Sequence, residues 1–342
     1  MTDPETRALS ARLNGFLRSS YPGAEAVDLR RLSHRWQVRS LRFTWVESGS
    51  RTDCVLRLFE GGEAVQRCER EAELTIRLSG QGFPVPGVLA HSSDMRILGQ
   101  PFQIVCHIKG QTLADELYGS EGNVRERCID RFMGLMVRMH RIPVAQVMPS
   151  RRCTARERAG LFHERLMAQA RAVLLDTLRL GEFEPLLVWI DDTARGISWS
   201  DAVLAHNDFH PGNILCGADG VDRVIDWATV DVSDHRYDLG WTLMLTASYW
   251  GGQAHDSVLR AYARGWGRPI ESIEVFILVA AVRRLLLRGL AAHAAAWRIG
   301  MPGRAMFSEP REAEHLRAVY ALVPQICGLR LPGIERVLDG WR

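Results

Sequence analysis

The stretch HNDFHPGNIL, residues 206–215, concentrates the side chains of this chain that could do chemistry. It holds two histidines, an aspartate and two asparagines before an apolar exit. His206 and His210 are four residues apart, a spacing that can place two metal ligands on one helical face. Pro211 and Gly212 follow at once and disfavour that helix. Since no nearby cysteine completes a soft ligand set, zinc is the weaker interpretation.

Phosphoryl transfer is the second interpretation of the same stretch. It requires a carboxylate that orients or deprotonates the attacking hydroxyl, and an amide oxygen and another carboxylate that bind magnesium. Asp208 and Asn213 lie five residues apart, and Asp226 follows thirteen residues later, at the end of the predicted strand RVIDW. Mg²⁺ needs only a few hard oxygen ligands beside phosphate. Alone, each aspartate would more often be a cap or turn residue, but the combined spacing predicts phosphoryl transfer.

The motif resembles the catalytic loop of the aminoglycoside phosphotransferase family, whose fold is that of the eukaryotic protein kinases. HNDFHPGNIL matches this loop, with Asn207 where glycine is commoner. VIDWATVDVSDHRYDLGW (224–241) matches the metal-binding Asp-Trp segment and the downstream Asp-Leu pair. The resemblance covers about residues 30–245 and leaves the last hundred residues generic in pattern.

Carried over residue by residue, the resemblance implies that Asp208 is the catalytic base. It implies that Asn213 and Asp226 bind Mg²⁺. His206 is then a structural residue of the loop, and Asp238 supports the loop through hydrogen bonds without touching substrate.

In the N-terminal region the resemblance assigns a basic residue and a carboxylate to the nucleotide phosphates. VLRLF (55–59) offers Arg57 where lysine is usual, and EREAEL (69–74) offers Glu71 as its partner. Arginine can still bind phosphate and pair with a carboxylate through its two-pronged guanidinium. An outward-facing arginine on a half-buried strand is the alternative explanation of Arg57.

The segment expected to contact the phosphates, LSHRWQVRS (32–40), has none of the glycines that usually let backbone N–H groups approach them. Ser33 and Arg35 are the candidates for holding phosphate instead. GQPFQIVCHIKG (99–110) resembles the strand and hinge between the lobes. There the resemblance implies base contacts from the backbone of Cys106 and Ile108, with Val105 lining the base pocket.

Hydrophobic periodicity predicts the elements around these residues. Helices are predicted at 6–19, with Leu9, Leu13, Phe16 and Leu17 on one face, and at 63–79, 128–143, 155–180 and 275–282. Strands are predicted at 38–46, 53–59, 101–110 and 223–227, with a hairpin turn at GSRTD (49–53). The pattern predicts an α+β, two-lobed plan. The family resemblance implies that this plan is a protein-kinase-like fold, with an antiparallel sheet plus helix in the small N-lobe. We expect an N-lobe at 1–105, a hinge at 106–110 and a larger, mainly helical C-lobe at 111–342.

Composition restricts the class of protein. The 43 basic and 40 acidic residues give a net charge of +3, too small to indicate nucleic acid or an anionic membrane as a partner. Seven scattered cysteines without a CxxC pair argue against a disulfide framework and favour the reducing cytoplasm. The charged N-terminus lacks the apolar run of a signal peptide.

The expected function is transfer of the γ-phosphoryl group of ATP or GTP, with Mg²⁺, to a hydroxyl-bearing small molecule, an antibiotic or secondary metabolite as in resistance enzymes. A metabolic kinase of the choline, homoserine or sugar type is the alternative, and so is a catalytically weak nucleotide-binding regulator. Arginines outnumber acidic residues after Trp241, which favours an acceptor that is not strongly cationic. The acceptor and the oligomeric state stay open.

Overall fold

The computed structural model describes residues 4–35, 37–149, 155–200, 202–286 and 310–339. The chain forms two compact units, each made of three separate segments of the sequence. The first unit comprises residues 1–115, 146–148 and 212–228, and the second comprises 116–145, 149–211 and 229–342. The combination of antiparallel strands in the first part with helices in the second confirms the predicted α+β class. The lobe and hinge boundaries proposed from the sequence remain predictions.

The first unit is built on a five-stranded antiparallel sheet in the order β1-β2-β3-β5-β4. Its strands are β1 (Glu25–Arg35), β2 (Val38–Glu47), β3 (Ser50–Phe59), β4 (Val88–Ser92) and β5 (Phe102–Cys106). A smaller antiparallel sheet holds β6 (Gly110–Thr112), β8 (Ile214–Gly217) and β9 (Asp222–Val224). The predicted strand at 101–110 is therefore two strands, interrupted at residues 107–109.

Two helices of the first unit pack against the five-stranded sheet. Leu9, Leu13 and Leu17 of α1 (Pro4–Ser20) are buried in one apolar core with residues of β1, β2, β3 and β5. A separate small cluster joins α2 (Ala64–Gly80) to the sheet through Cys68 and Phe59. The helical spacing seen in the sequence thus marks the buried face of α1 correctly. The short helix α3 (Met95–Leu98) precedes β5.

The β2–β3 hairpin turns earlier than predicted. Ser48 and Gly49 form the turn, with φ of +49° and +80°, while Glu47 pairs with Ser50. Residues 51–53, predicted to belong to the turn, are part of β3. Left-handed backbone at both central positions is what a tight two-residue hairpin requires, and Ser-Gly supplies it. The prediction at 49–53 was therefore wrong in position.

The chain from residue 113 onward is mainly helical. Helices over 113–266 are α4 (Leu113–Tyr118), α5 (Gly122–His140), α6 (Val144–Val147), α7 (Ala155–Arg171), α8 (Glu184–Arg195), α9 (Arg236–Trp250) and α10 (Gly252–Trp266). Later helices are α11 (Ile273–Arg284), α12 (Pro310–Cys327) and α13 (Pro332–Asp339). The predicted helix at 155–180 is shorter, because α7 ends at Arg171 and a π-helical segment occupies Ala172–Thr177.

The core of the second unit lies around α9 and α11. Residues 275–282 of α11 are all buried, as their apolar run predicts. Strands β7 (Val203–Ala205) and β10 (Asp231–Ser233) pair with each other. In the chain, β7 precedes the candidate base Asp208 and β10 follows it. Within the described residues, no helix combines the length and the apolar character that crossing a bilayer requires.

Candidate active site

The loop that follows β7 is held by the carboxylate of Asp238, at the start of α9. Asp238 Oδ2 accepts from the backbone N–H of His206 at 2.7 Å, and Oδ1 accepts from the N–H of Asn207 at 2.6 Å. Asp238 is fully buried. Charge-assisted hydrogen bonds of this kind fix a backbone strongly. These contacts are the hydrogen bonds expected of a residue that supports the loop.

Asn207 occupies a left-handed backbone conformation, with φ of +61°. Glycine reaches this region without cost, and asparagine is among the few other residues that visit it readily. The side chain adds a contact, since Asn207 Nδ2 donates to the Thr229 carbonyl at 3.1 Å. Asparagine is therefore compatible with the backbone conformation at residue 207, where glycine is commoner in the family.

Asp208 follows directly, and its carboxylate is held on one side. Trp241 Nε1 donates to Asp208 Oδ1 at 3.0 Å. His210 Nε2 lies 3.8 Å from the same oxygen. The Asp208 side chain keeps 32 % of its surface exposed. Asp208 is thus oriented by the protein and still accessible to a ligand, as a general base must be.

The residue after Asp208 anchors the other side of the loop. Phe209 is buried and stacks on Phe132 of α5, with the ring centroids 5.3 Å apart. Its carbonyl accepts from Thr242 Oγ1 of α9 at 2.6 Å. The backbone on both sides of Asp208 is therefore fixed by side chains from distant elements.

A buried hydrogen-bond network lies behind Asp238. His140 contacts Asp238 Oδ2 at 3.1 Å through Nε2 and the hydroxyl of Tyr262 at 2.9 Å through Nδ1. The same hydroxyl lies 3.0 Å from His235 Nδ1. Burial lowers the pKa of His235 to about 3 and raises the pKa of Tyr262 well above its usual value. The rings of His235 and Tyr262 are therefore uncharged near neutral pH, and they support the loop without adding charge.

The two candidate magnesium ligands both belong to the first unit. Asn213 ends the turn before β8, and Asp226 lies just beyond β9. The N–H of Ile225 donates to the Asn213 carbonyl at 2.9 Å, which extends the β8–β9 ladder to Asn213 and Ile225, and Asp226 follows Ile225 in the chain. The strand ends at Val224, not at Asp226 as predicted, because Asp226 adopts φ of +67°.

The donor set at this end of the ladder suits a hard cation. Asn213 offers an amide oxygen, and Asp226 offers an exposed carboxylate. In the part of the chain that the structure describes, no three His, Cys, Asp or Glu side chains form a common metal cluster. That is compatible with Mg²⁺, which keeps water and phosphate oxygens as most of its ligands. The strained backbone of Asp226 is of the type often found at functional sites.

Arg57 and Glu71 form an ion pair in the first unit, with Arg57 Nη2 2.9 Å from Glu71 Oε2. Glu71 is 1 % exposed and Arg57 21 %. Arg57 Nη1 also donates to Gln103 Oε1 at 3.1 Å, and Gln103 Nε2 donates to the Cys68 carbonyl. The guanidinium is thus turned toward α2 and β5, so the alternative of a solvated, outward-facing arginine does not fit.

The predicted phosphate contacts lie at the β1–β2 hairpin. Ser33 is exposed and pairs with Ser40 across the ladder. Arg35 is the last residue of β1, and its side chain lies outside the described part of the structure. Gln37 turns the chain with φ of +61°, and its side chain accepts from Arg67 Nη1 at 3.3 Å. The hairpin tip is thus tied to α2 by side chains where a glycine loop is usual.

The residues predicted to contact the nucleotide base lie at the end of β5. Val105 is half-buried and faces Val55 and Val88 in the ladder. The N–H of Cys106 already donates to the Gly87 carbonyl at 2.8 Å, so any base contact from Cys106 falls to its carbonyl. Ile108 lies in the irregular segment before β6. Burial raises the pKa of the Cys106 thiol, which disfavours its reaction as a thiolate.

The fold that positions these residues is shared with several solved phosphotransferases. A Ralstonia eutropha JMP134 protein assigned as an aminoglycoside phosphotransferase has a TM-score of 0.66 at 17 % identity, covering 92 % of this chain and 95 % of that one. Aminoglycoside phosphotransferase APH(4)-Ia, solved with ADP and hygromycin B, has a TM-score of 0.60 at 16 % identity, covering 93 % and 99 %. Macrolide 2'-phosphotransferase MphH from Brachybacterium faecium has a TM-score of 0.57 at 17 % identity, covering 90 % and 97 %. These likenesses define the kinase-like phosphotransferase fold.

A family model described as the phosphotransferase enzyme family, APH, matches residues 28–276. The match covers more than two thirds of the chain and includes every candidate site residue above. The protein belongs to this family and is a phosphotransferase of the kinase type. No curated protein matches the chain. The resemblance inferred from the catalytic loop is therefore confirmed.

Proposed function

We propose that this protein transfers the γ-phosphoryl group of ATP or GTP to a hydroxyl of a small antibiotic or secondary metabolite. The observation that carries the proposal is the loop around Asp208, whose backbone is fixed by Asp238 while its carboxylate stays accessible. Related folds support the ligand classes. One was solved with ADP and hygromycin B, one with ADP and spectinomycin, and one with GDP. The proposed need for a nucleotide and the free thiols of the described cysteines both favour a cytoplasmic location for the protein.

In the proposed reaction Asp208 acts on the acceptor hydroxyl. The hydroxyl oxygen forms a bond to the γ-phosphorus, and the bond from that phosphorus to the β–γ bridging oxygen breaks. The hydroxyl proton passes to the Asp208 carboxylate, and the nucleoside diphosphate leaves. Because the transition state has little nucleophile bonding, orientation of the hydroxyl is the larger part of the contribution of Asp208.

Asn213 and Asp226 are the residues proposed to hold Mg²⁺. When bound, the ion would neutralise charge on the phosphate oxygens. Their contribution as protein groups would be one amide oxygen and one carboxylate oxygen from the same end of the β8–β9 ladder.

Arg57 is proposed to contact the nucleotide phosphates, with Glu71 holding it in place as the usual lysine–glutamate pair would. The guanidinium keeps a fixed charge and a planar set of donors. Its bond to Gln103 restricts it further. Ser33 and Arg35 are proposed as additional phosphate contacts, and Val105, Cys106 and Ile108 as contacts of the base.

The excess of arginine over acidic residues after Trp241 favours an acceptor that is neutral or anionic at the reacting end. Arg283 packs on Trp241, which in turn binds Asp208. Arg284 Nη2 donates to the hydroxyl of Tyr249 on the same helix as Trp241, at 3.4 Å. Both guanidinium groups belong to this arginine excess, which would disfavour binding of a polycation.

The test is turnover by purified protein with MgATP or MgGTP across neutral, anionic and cationic hydroxylated antibiotics and metabolites. A mass gain of one phosphate on an antibiotic or secondary metabolite supports the proposal, and removal of Mg²⁺ by a chelator should abolish the gain. Transfer only to a primary metabolite would instead establish a metabolic kinase. Nucleotide binding with no transfer to any acceptor would indicate a regulator and would contradict the proposal.

A further inference from the structure

Arg283, near the C-terminal end of α11, contacts the loop that carries Asp208. Its Nη1 donates to the Asn207 carbonyl at 2.7 Å. Its guanidinium carbon lies 4.5 Å from the ring centroid of Trp241 on α9. One side chain therefore fixes the peptide immediately before Asp208 and covers the face of an indole.

Trp241 extends this contact to the carboxylate itself. The indole is 4 % exposed, and its N–H donates to Asp208 Oδ1 at 3.0 Å. A donor packed on Arg283 has little freedom to follow a moving acceptor. Because the backbone and one oxygen of Asp208 are both held, the carboxylate is restricted to one orientation.

Gly240 explains how α11 comes close enough to supply Arg283. A Cβ atom at residue 240 would lie 2.7 Å from the backbone carbonyl oxygen of Phe276, closer than real Cβ atoms approach. Because Gly240 has no side chain, the backbone of α9 can pack directly against Phe276 of α11. This close approach places the end of α11 beside the loop, although α11 lies about seventy residues away in the sequence.

The position of Arg283 is electrostatically unusual. Burial lowers the pKa of its guanidinium, while the carboxylates of Asp208 and Asp238 act in the opposite direction. Retaining a largely desolvated cation is costly unless charges and hydrogen bonds compensate it. Here the compensating groups are the loop carbonyl and the two carboxylates that the proposed reaction depends on.

We propose that Arg283 and Trp241 are positioning residues for phosphoryl transfer, with Arg283 holding the indole and the Asn207 carbonyl so that Trp241 fixes the direction of the Asp208 carboxylate. Neither residue exchanges a proton or contacts the phosphate in this scheme. The inference rests on the proposed role of Asp208 as the group that orients the acceptor hydroxyl. It assigns a function to a helix outside the catalytic motifs.

The test compares Trp241→Phe, which keeps an aromatic face but removes the N–H, with Arg283→Met and Arg283→Lys. We expect Trp241→Phe and Arg283→Met each to lower kcat about ten- to a hundred-fold, with the KM values for acceptor and nucleotide within about two-fold of wild type. Arg283→Lys should recover most of kcat because it restores the charge and one donor. The double variant should lose little more than the worse single variant, since both act through Asp208.

Matched controls separate positioning from general damage. Trp189→Phe removes a half-buried indole of α8, and Arg264→Met removes an exposed guanidinium of α10. Both should keep wild-type kcat. Urea unfolding of each variant identifies any loss that follows reduced stability alone.

A spectroscopic measurement tests the contact without turnover. In ¹⁵N-tryptophan-labelled protein, the indole resonance that disappears in Trp241→Phe should shift in both Asp208→Asn and Arg283→Met. An unshifted resonance, or wild-type kcat in Trp241→Phe and Arg283→Met, would overturn the inference while leaving the proposed function intact if the wild type transfers phosphate. Absence of transfer by the wild type to every acceptor would overturn both.

Discussion

Asp238 Oδ1 lies 2.6 Å from the backbone nitrogen of Asn207, and the carboxylate is fully buried. Asp238 therefore sets the conformation of a loop that lies some thirty residues earlier in the chain. A neutral amide in its place could accept only one of the two backbone hydrogen bonds and would present its NH₂ group to the other donor. The loop would then lose its fixed geometry even though Asp208 itself is unchanged.

We expect Asp238→Asn to lower kcat at least about a hundred-fold and to reduce the free energy of unfolding by about 2 kcal/mol. Turnover assays and urea unfolding measure the two effects. Asp256→Asn, at an exposed carboxylate of α10 in the same unit, is the control and should change neither. Wild-type kcat in Asp238→Asn would show that the loop does not depend on this carboxylate.

Asn207 should tolerate glycine better than alanine. Its φ of +61° costs an ordinary L-residue about 1–2 kcal/mol, and glycine nothing. We expect Asn207→Ala to be less stable than Asn207→Gly by about 1 kcal/mol. Both variants lose the side-chain bond to Thr229, so their comparison isolates the backbone term. Equal stability in urea unfolding would mean that the left-handed conformation is not required.

The Arg57–Glu71 pair should be coupled in stability. Removing Arg57 leaves the buried Glu71 carboxylate without its cation, so Arg57→Met should reduce the free energy of unfolding by about 3 kcal/mol. Adding Glu71→Gln should recover part of this loss, because the uncompensated charge is then gone. Arg57→Lys should retain both stability and nucleotide binding. If the losses in free energy of unfolding were strictly additive in the double-mutant cycle, Arg57 and Glu71 would not be coupled.

Stability should fall when the pH drops below neutral, and His235 should contribute to the fall. Its pKa in the folded protein is about 3, lowered from 6.5 by burial. Between these values the unfolded chain binds a proton at this residue and the folded chain does not, so acid favours unfolding.

We expect His235→Asn, whose amide can replace Nδ1 toward Tyr262, to reduce the pH slope between pH 6 and 5 by up to about 1 kcal/mol per pH unit. Urea unfolding at several pH values measures the slope. His91→Asn, at a solvent-exposed histidine of β4, should leave it unchanged. A slope in His235→Asn as steep as that of the wild type would contradict the buried, neutral state of this ring.

The sequence predicted much of the fold because local patterns determine it. The buried face of α1, the apolar run of α11 and the pairing of Arg57 with Glu71 could each be read from spacing or family resemblance. The turn of the β2–β3 hairpin lies at Ser48–Gly49, but the sequence placed it at 49–53. Gly49 and the polar residues after it looked equally plausible as turn formers. Such choices depend on the register of the whole ladder.

The parts of the site that could not be predicted are long-range contacts. Arg283 lay in the generic C-terminal region, and Trp241 was the last residue of a matched segment with no role predicted for it. Nothing local connects Arg283 to Asn207, because their contact depends on how α9 and α11 pack around Gly240. The phosphate-binding groups are similarly undetermined, since a missing glycine does not say which side chain replaces it.

The central claim is that Asp208 orients the acceptor hydroxyl for phosphoryl transfer. The most direct measurement compares wild type and Asp208→Asn for phosphate transfer and for equilibrium binding of a non-hydrolysable nucleotide with Mg²⁺. The account predicts that Asp208→Asn binds nucleotide within about two-fold of wild type and transfers phosphate at least about a hundred-fold more slowly. Undiminished transfer by Asp208→Asn would contradict it.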